Sequence, residues 1–339
     1  MDGNFNLITM NGLKSFKQRF KFVNEDNFTH YSLKLFDFQV KHNPVYREYV
    51  DSIEVDPQTV KKPEDIPFLP ISIFKHREIK TSIWKEKCVF ESSGTTGMEV
   101  SKHYIQDEGF YKDVSTIIFQ SFYGDPKDYV ILALLPSYLE RSNSSLVTMV
   151  NHLIKLSKSE HSGFYLSNLG ELIERITFLK RSSHRKIILW GVTFALLEFA
   201  EACPMDLEGA IIIETGGMKG RGEDIVREEM HEILKLGFNL GSIHSEYGMT
   251  ELLSQAYSFR DGLFKCPPWM KVYTREINDP FCIINDGQQG VINIIDLANI
   301  HSCAFIATDD LGRVHADGTF EVLGRLDNSD MRGCNLLWS

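Results

Sequence analysis

The chain has 339 residues, 43% of them hydrophobic and 24% charged, enough for a large core or for one main domain with an appendage. Its formal charge of −10, with no block of lysine and arginine, argues against a general nucleic-acid-binding surface. The six cysteines (88, 203, 266, 282, 303, 334) include no Cys-x-x-Cys pair, so neither a disulfide scaffold nor a zinc site is indicated, and Met1-Asp2-Gly3-Asn4 lacks the basic and apolar regions of a leader.

In chain order, helical patterns over 27–41 and 44–51 predict a helical N-terminal cap covering residues 1–60. Cys88-Val89-Phe90 is β-prone and leads into Glu91-Ser92-Ser93-Gly94-Thr95-Thr96-Gly97. Tyr129 to Leu135 is a continuous apolar run, as expected of a strand covered on both faces. Asn143 offers an N-cap for a helix through Leu156, with Leu146, Met149, Val150 and Leu153 on one face. Helix 168–181, strand 186–190, helix 193–202, strand 210–214, helix 223–236 and a strand ending at His244 continue the alternation of a parallel sheet with crossover helices. After residue 270, short β-type runs such as 290–295 and 303–308 suggest a smaller β-subdomain. The expected domains are therefore the cap 1–60, an α/β core 61–270, the β-subdomain 271–324 and a tail 325–339. In such sheets ligands collect beyond the carboxyl ends of strands, where residues 136–141, 214–222 and 244–251 are placed.

The loop 91–97 packs two glycines and four hydroxyls into seven positions. Glycine permits backbone angles that turn several amides toward one point, which suits a polyphosphate. It is not the Walker pattern, because no Gly-Lys-Ser/Thr follows. Taken alone it also reads as a hydroxyl-rich surface turn. Two further stretches weigh against that reading: Tyr247-Gly248-Met249-Thr250-Glu251, and Thr308-Asp309-Asp310-Leu311-Gly312 followed by Gly324-Arg325-Leu326-Asp327. In this order the motifs resemble those of the adenylate-forming enzymes, the superfamily of acyl-CoA synthetases and luciferases. Phe68-Leu69-Pro70-Ile71-Ser72-Ile73-Phe74-Lys75, Leu134 to Arg141 and Asn43-Pro44-Val45-Tyr46-Arg47 look like the acyl-protein synthetases of the LuxE type within it, which are related to phenylacetate-CoA ligases.

The resemblance implies an α/β fold: a large acyl-CoA synthetase-like N-terminal domain of parallel sheets, crossover helices and a small β-subdomain. It implies that Ser92, Ser93, Thr95 and Thr96, with the amides of Gly94 and Gly97, hold the β- and γ-phosphates of ATP. Thr250 would touch the α-phosphate, Glu251 would hold Mg²⁺, and Tyr247, with Gly248 beside it, would stack on adenine. Asp310 would accept the ribose hydroxyls, Arg325 would add a donor, and Glu214-Thr215-Gly216-Gly217-Met218 looks like the family's glycine-rich loop beside adenine. Residue by residue, commoner readings stand beside these: Glu251 as a helix N-terminal carboxylate, Tyr247 as a half-buried strand-end aromatic, Asp309-Asp310 as a hairpin turn.

Two departures and one further match matter. The lysine that usually follows the phosphate loop falls two positions late, at Lys102. The chain stops at Ser339, where the superfamily continues into a C-terminal lid domain carrying a catalytic lysine, so the expectation is that this domain is absent and that Lys102, Lys219 or a partner completes the site, or that the activity is slow. Cys334 stands where acyl-protein synthetases place the cysteine that takes the acyl group as a thioester, and Arg332 beside it favours the thiolate; the plainer reading is a buried cysteine near Leu336 and Leu337. The acyl pocket is expected near Trp190-Gly191-Val192-Thr193-Phe194, although large apolar residues there also suit a core. His161, His184 and His231 read as surface residues, and His244 as facing the site from the end of its strand.

The expected activity is ATP- and Mg²⁺-dependent conversion of a carboxylic acid, most simply a fatty acid, to acyl-AMP, with transfer to Cys334 and on to an acceptor protein, a reductase or transferase. An acyl- or aryl-CoA ligase and a non-catalytic nucleotide- or acyl-binding subunit are the alternatives. No nucleic-acid partner, no membrane span and a cytoplasmic location complete the expectation.

Overall fold

Asn24 and Asn27 begin the first helix by capping each other. The Asn24 carboxamide oxygen accepts from the Asn27 amide at 3.2 Å and the Asn27 oxygen accepts from the Asn24 amide at 2.9 Å, closing a capping box on α1 (Glu25–His42). Asn43 then caps α2 (Pro44–Ser52), with Pro44 at a position whose missing amide costs nothing. These details come from a computed structural model that describes residue 17 and residues 20–92, 99–135, 143–165, 168–216, 226–284 and 286–326. The chain divides into two units, Met1–Glu108 with Thr250–Ser254 and Cys266–Ser339, and Gly109–Met249 with Gln255–Lys265.

In the first unit the two helices grip the segment 299–304. The Gln39 amide donates to the carbonyls of Asn299 and Ser302, both at 3.1 Å, and its oxygen accepts from the Ala304 amide at 2.9 Å. Asn43 donates to the Ser302 carbonyl at 3.0 Å. Tyr46 is fully buried, stacks on Phe305 at 5.9 Å and donates its hydroxyl to the Pro67 carbonyl at 2.6 Å. The Asn-Pro-x-Tyr pattern is thus a helix cap and a buried anchor. Then come β1 (Leu69–Pro70) and the antiparallel pair β2 (Cys88–Glu91) and β3 (Lys102–Ile105).

The second unit opens with α3 (Glu108–Tyr123), whose first residue still belongs to the first unit. It continues through β4 (Tyr129–Leu134), α4 (Ser145–Ser157), β5 (Gly163–Tyr165), α5 (Leu169–Ser182), β6 (Lys186–Val192), α6 (Thr193–Ala202), β7 (Ile211–Thr215), α7 (Arg227–Phe238), β8 (His244–Tyr247), β9 (Ala256–Ser258) and β10 (Phe264–Lys265). The strands run β5-β4-β6-β7-β8 in parallel, with β9 and β10 added antiparallel beyond β8. Val130 to Leu134 and Ile188 to Trp190 are almost wholly excluded from water, as the uninterrupted apolar runs predict for strands covered on both faces. The order of strands reverses between β4 and β6, which puts a topological switch point beside Val192. Gly191 belongs to this closely packed region: a Cβ there would stand 2.7 Å from the Leu196 side chain.

The chain returns to the first unit with an antiparallel run, β11 (Met270–Arg275), β12 (Gln289–Asp296), β13 (Phe305–Val314) and β14 (Phe320–Arg325). β1 pairs in parallel with β13 at Ile306 and Ala307, so the Phe68–Lys75 motif flanks the strand that carries Asp309 and Asp310.

The expected mixed α/β architecture, with a parallel sheet, crossover helices and a β-rich C-terminal part, is present. Three local expectations are corrected. The cap of α4 is Ser144, one residue after Asn143, because its hydroxyl accepts from the Val147 amide. β8 begins at His244 instead of ending there. Asp309 and Asp310 lie inside β13, where a hairpin turn was the plainer reading. Among the described residues no helix is long and apolar enough to cross a membrane.

Candidate functional site

The ribose motif is assembled on β13 and β14 in the first unit. Thr308 donates its hydroxyl to the Ile292 carbonyl at 2.8 Å and accepts from the Asp310 amide at 3.1 Å, which fixes the backbone that presents the Asp310 carboxylate. Asp310 and Arg325 are register partners on the two strands, and the Arg325 Nε donates to Asp310 Oδ1 at 3.1 Å. Arg275 supports the same strand, donating to the Thr308 carbonyl at 3.2 Å and to Asn293 Oδ1 at 3.1 Å. Asp309 differs in kind: burial pushes its carboxyl above the usual range, and its carbonyl accepts from the Leu326 amide. Gly312 closes the motif for a steric reason. A Cβ there would stand 2.4 Å from the Glu321 carbonyl oxygen and 2.6 Å from Ile292 Cδ1, next to a register shift between β13 and β14.

Thr250 and Glu251 lie in a turn, not at a helix N-terminus, and Glu251 is buried. Four side chains of the first unit hold this turn. The Thr250 carbonyl accepts from His103 Nδ1 at 2.8 Å, and the Glu251 carbonyl accepts from Asn299 Nδ2 at 2.7 Å. Asp296 Oδ2 accepts from the amides of Leu253 and Ser254, both at 2.9 Å, and Oδ1 from the Ser254 hydroxyl at 2.7 Å. Trp269 in turn donates to that hydroxyl at 2.9 Å. Burial pushes the Asp296 carboxyl up against these donors, and it pushes His103 down to about 4, so the imidazole is neutral. Ser92 uses its hydroxyl oxygen to accept from the Ser101 amide at 2.9 Å, and its own amide donates to the Ser101 carbonyl at 3.1 Å.

In the second unit, Tyr247 is a buried residue at the end of β8 whose ring lies 5.9 Å from that of Phe264. Gly248 follows it, and a Cβ there would stand 2.5 Å from Glu246 Oε1. Thr215 donates its hydroxyl to Glu246 Oε2, tying the end of β7 to β8. Gly216 then takes φ +86°, a conformation that favours glycine. Glu214 is buried, accepts from the Thr193 hydroxyl at 3.1 Å, and lies 3.7 Å from Arg227 Nε and 3.6 Å from His231 Nε2. Burial pushes its carboxyl up, but Arg227, His231 and Ser245 outweigh that and leave it below its ordinary value.

Ser245, His231 and Glu214 carry the side chains of a hydrolytic triad without its geometry. One nitrogen, His231 Nε2, faces both the Ser245 hydroxyl at 3.3 Å and the carboxylate, and Ser245 is fully buried. The group is a structural network.

His231 is thus buried, against the expectation of a surface residue, because it has Ser245 and Glu214 to satisfy it. His161 is also partnered, its Nδ1 lying 2.8 Å from Arg175 Nη1. His244 stacks on Tyr123 at 5.7 Å, and burial pushes it down to about 4. Ser93, Gly94, Thr95, Thr96, Gly97, Gly217, Lys219 and Cys334 lie outside the described residues. The sequence reading missed His103, Asn299 and Asp296; they have no spacing signal, the last two being single polar residues in the apolar run 291–300, and become visible only through their contacts with the turn at 250–254.

The family model of the acyl-protein synthetase LuxE matches residues 18–339. The chain is 25% identical over 329 residues to the long-chain-fatty-acid–luciferin-component ligase of Aliivibrio fischeri, covering 89% of this chain and 85% of the relative. It is 24% identical over 337 residues to the ligase of the same name from Vibrio harveyi, covering 90% and 85%. Among solved structures, 2-hydroxyisobutyryl-CoA ligase in complex with 2-HIB-AMP and CoA aligns with TM-score 0.66 at 15% identity, over 90% of this chain and 68% of that one. ATP-bound MatB from Rhodopseudomonas palustris aligns with TM-score 0.54 at 15% identity, over 70% of this chain, which spans about half, 47%, of the MatB chain. At these identities the solved structures speak for the fold. With the family model matched over nearly the whole length, the chain belongs to the LuxE family of acyl-protein synthetases.

Proposed function

We propose that this chain activates a fatty acid with ATP to form acyl-AMP, captures the acyl group on Cys334 as a thioester and passes it to an acceptor protein. The observation that carries the reading is the LuxE family match, which runs through the phosphate, Tyr-Gly-x-Thr-Glu, Thr-x-Asp and Gly-Arg motifs together. The names of the two bacterial ligases support a long-chain acid as substrate.

In this reading the acid's carboxylate attacks the α-phosphate and pyrophosphate leaves, so the site must bring anions together and neutralise growing charge. Asp310, oriented by Thr308 and Arg325, accepts from the ribose hydroxyls. Tyr247 and the backbone at Gly216 face adenine, and Thr250 donates to the α-phosphate. Glu251 offers one hard oxygen donor for Mg²⁺, which is commonly held by one or two carboxylates together with substrate phosphates. Among the described residues no three His, Cys, Asp or Glu side chains converge on a metal, so this donor set fits an ion arriving with ATP. Bound Mg²⁺ would neutralise phosphate charge. The acyl chain is assigned to the switch point beside Trp190–Thr193, where a ligand crevice is expected in an open parallel sheet.

The test is intact mass after incubation with ATP, Mg²⁺ and acids of graded chain length, alongside acid-dependent ATP–pyrophosphate exchange. Exchange together with a covalent acyl mass is the expected result. Exchange without an acyl mass, but with turnover on coenzyme A, moves the assignment to a CoA ligase; no exchange with any acid leaves a binding subunit.

A further inference from the structure

The geometry points to His103 and Asn299 as positioning residues that fix the Thr250–Glu251 turn and register it against the strand leaving the phosphate loop. The inference rests on the assignment of Thr250 to the α-phosphate and Glu251 to Mg²⁺.

β3 begins at Lys102, immediately after Ser101, which is bonded to Ser92 on the other side of the phosphate loop. Its second residue, His103, points inward, is 1% exposed, and has the Phe74 ring edge-on at 6.0 Å. A polar ring in such a place costs free energy unless its nitrogens are bonded. Nδ1 faces the Thr250 carbonyl at 2.8 Å, and a carbonyl only accepts, so Nδ1 carries a hydrogen and donates it. Asn299 is the other polar side chain that acts on the ring, although its Oδ1 has no hydrogen-bond partner among the described residues. Asn299 is itself fully buried and donates to the Glu251 carbonyl at 2.7 Å.

Two successive carbonyls are therefore held by two buried side chains. No strand ladder fixes the turn at 250–251. Its direction, and with it the aim of the Thr250 hydroxyl and the Glu251 carboxylate, is set by these bonds and by Asp296 two residues further on. His103 is the link with a consequence for phosphate chemistry. It ties the turn to β3, so the Thr250 hydroxyl and the Glu251 carboxylate keep a fixed place relative to that strand, as a preorganised phosphate and metal site requires.

Three replacements at one position test this. His103→Leu keeps apolar packing and removes the donor. His103→Asn restores an N–H close to the place of Nδ1, and His103→Gln puts its amide farther out, near the place of Nε2. Each is measured for melting temperature, for the Mg²⁺ concentration that half-saturates acid-dependent ATP–pyrophosphate exchange, and for the KM of the acid.

His103→Leu is expected to raise the half-saturating Mg²⁺ by roughly 10-fold, the low end of the range for losing support around a metal ligand because His103 holds the residue beside Glu251, with the acid KM unchanged. His103→Asn recovers most of the loss and His103→Gln does not. Asn299→Leu shows the same Mg²⁺ shift from the Glu251 side and serves if His103→Leu does not fold. Unchanged Mg²⁺ dependence in folded His103→Leu or Asn299→Leu protein overturns the proposal, as does equal behaviour of the Asn and Gln variants. Glu251→Gln separates the two levels: if it abolishes exchange while the His103 variants keep wild-type Mg²⁺ dependence, the positioning role alone fails. If Glu251→Gln itself exchanges normally, the metal assignment fails and the positioning role with it.

Discussion

Arg325 and Asp310 are register partners on neighbouring antiparallel strands, and the guanidinium Nε donates to the carboxylate at 3.1 Å. The Asp310 side chain is 13% exposed and that of Arg325 58%, so the pair is a partly sheltered acceptor held by an outer cation. Asp309 sits one residue earlier on the opposite face of β13 with a raised carboxyl. Asp310→Ala should therefore weaken ATP binding far more than Asp309→Ala, by about 1.5–3 kcal/mol for a charged acceptor facing two hydroxyls. Arg325→Ala should cost less than Asp310→Ala, because a largely exposed ion-pair partner contributes little. Calorimetric titration with ATP measures all three, and equal losses at 309 and 310 would place the ribose elsewhere.

Gly312 gives a stability prediction free of ligand chemistry. Its Cβ would meet a backbone carbonyl at 2.4 Å, and a backbone atom in a paired strand cannot rotate away. Gly312→Ala should cost about 1–3 kcal/mol, the usual range for overpacking. Gly248→Ala meets side chains and no backbone among its nearest atoms, the end of Glu246 at 2.5 Å and Gln255 Cγ at 3.4 Å, and should cost less. Urea unfolding of the two variants ranks them; a Gly248 variant less stable than the Gly312 variant would mean that the Glu246–Thr215 bond makes that side chain the more rigid neighbour.

How far the sequence could be read follows from where each residue finds its partner. β4 and β6 were legible because both faces meet apolar neighbours, so Val130–Leu134 and Ile187–Trp190 are unbroken apolar runs. The two N-terminal helices were legible through their helical patterns over 27–41 and 44–51, while the caps Asn24 and Asn43, each bonded within three residues of itself, formed no part of that reading. β8 was not, because its residues His-Ser-Glu-Tyr are polar and are satisfied by remote groups, Ser245 by His231 and Glu246 by Thr215. The same remoteness hid His231, and it hid the His103–Asn299 support, whose members lie on opposite sides of the second unit's sequence. The nucleotide motifs stood out through family resemblance, while the reason for Gly312 needed the strand spacing.

His301 supplies a pH prediction. Burial pushes it down to about 4, with Lys17 acting in the same direction and Asp107 against it, and neither ring nitrogen has a hydrogen-bond partner among the described residues. A folded value below the ordinary one means that the unfolded chain takes up the proton first. Its contribution to stability is therefore present above about pH 6.5 and is lost as pH falls toward 4. His301→Gln carries no such proton. Its unfolding free energy should fall less than that of wild type between pH 7.5 and pH 5, by about 1–2 kcal/mol. Urea titrations at the two pH values give the difference; parallel losses in both proteins would show that His301 titrates normally.

Cys334 separates the acyl-protein synthetase from its alternatives. If it carries the acyl group, wild-type protein given ATP and its acid gains one acyl mass that hydroxylamine removes, because a thioester yields readily to that nucleophile. Cys334→Ser should keep ATP–pyrophosphate exchange largely intact, since the cysteine acts only after the adenylate has formed, yet should fail to release acyl groups to the acceptor. Any oxygen ester that forms on the serine would resist the same mild treatment. Peptide mapping of the labelled protein completes the argument. An acyl mass at another residue, or normal acyl transfer by Cys334→Ser, would make the cysteine structural and bring the coenzyme A ligase reading forward.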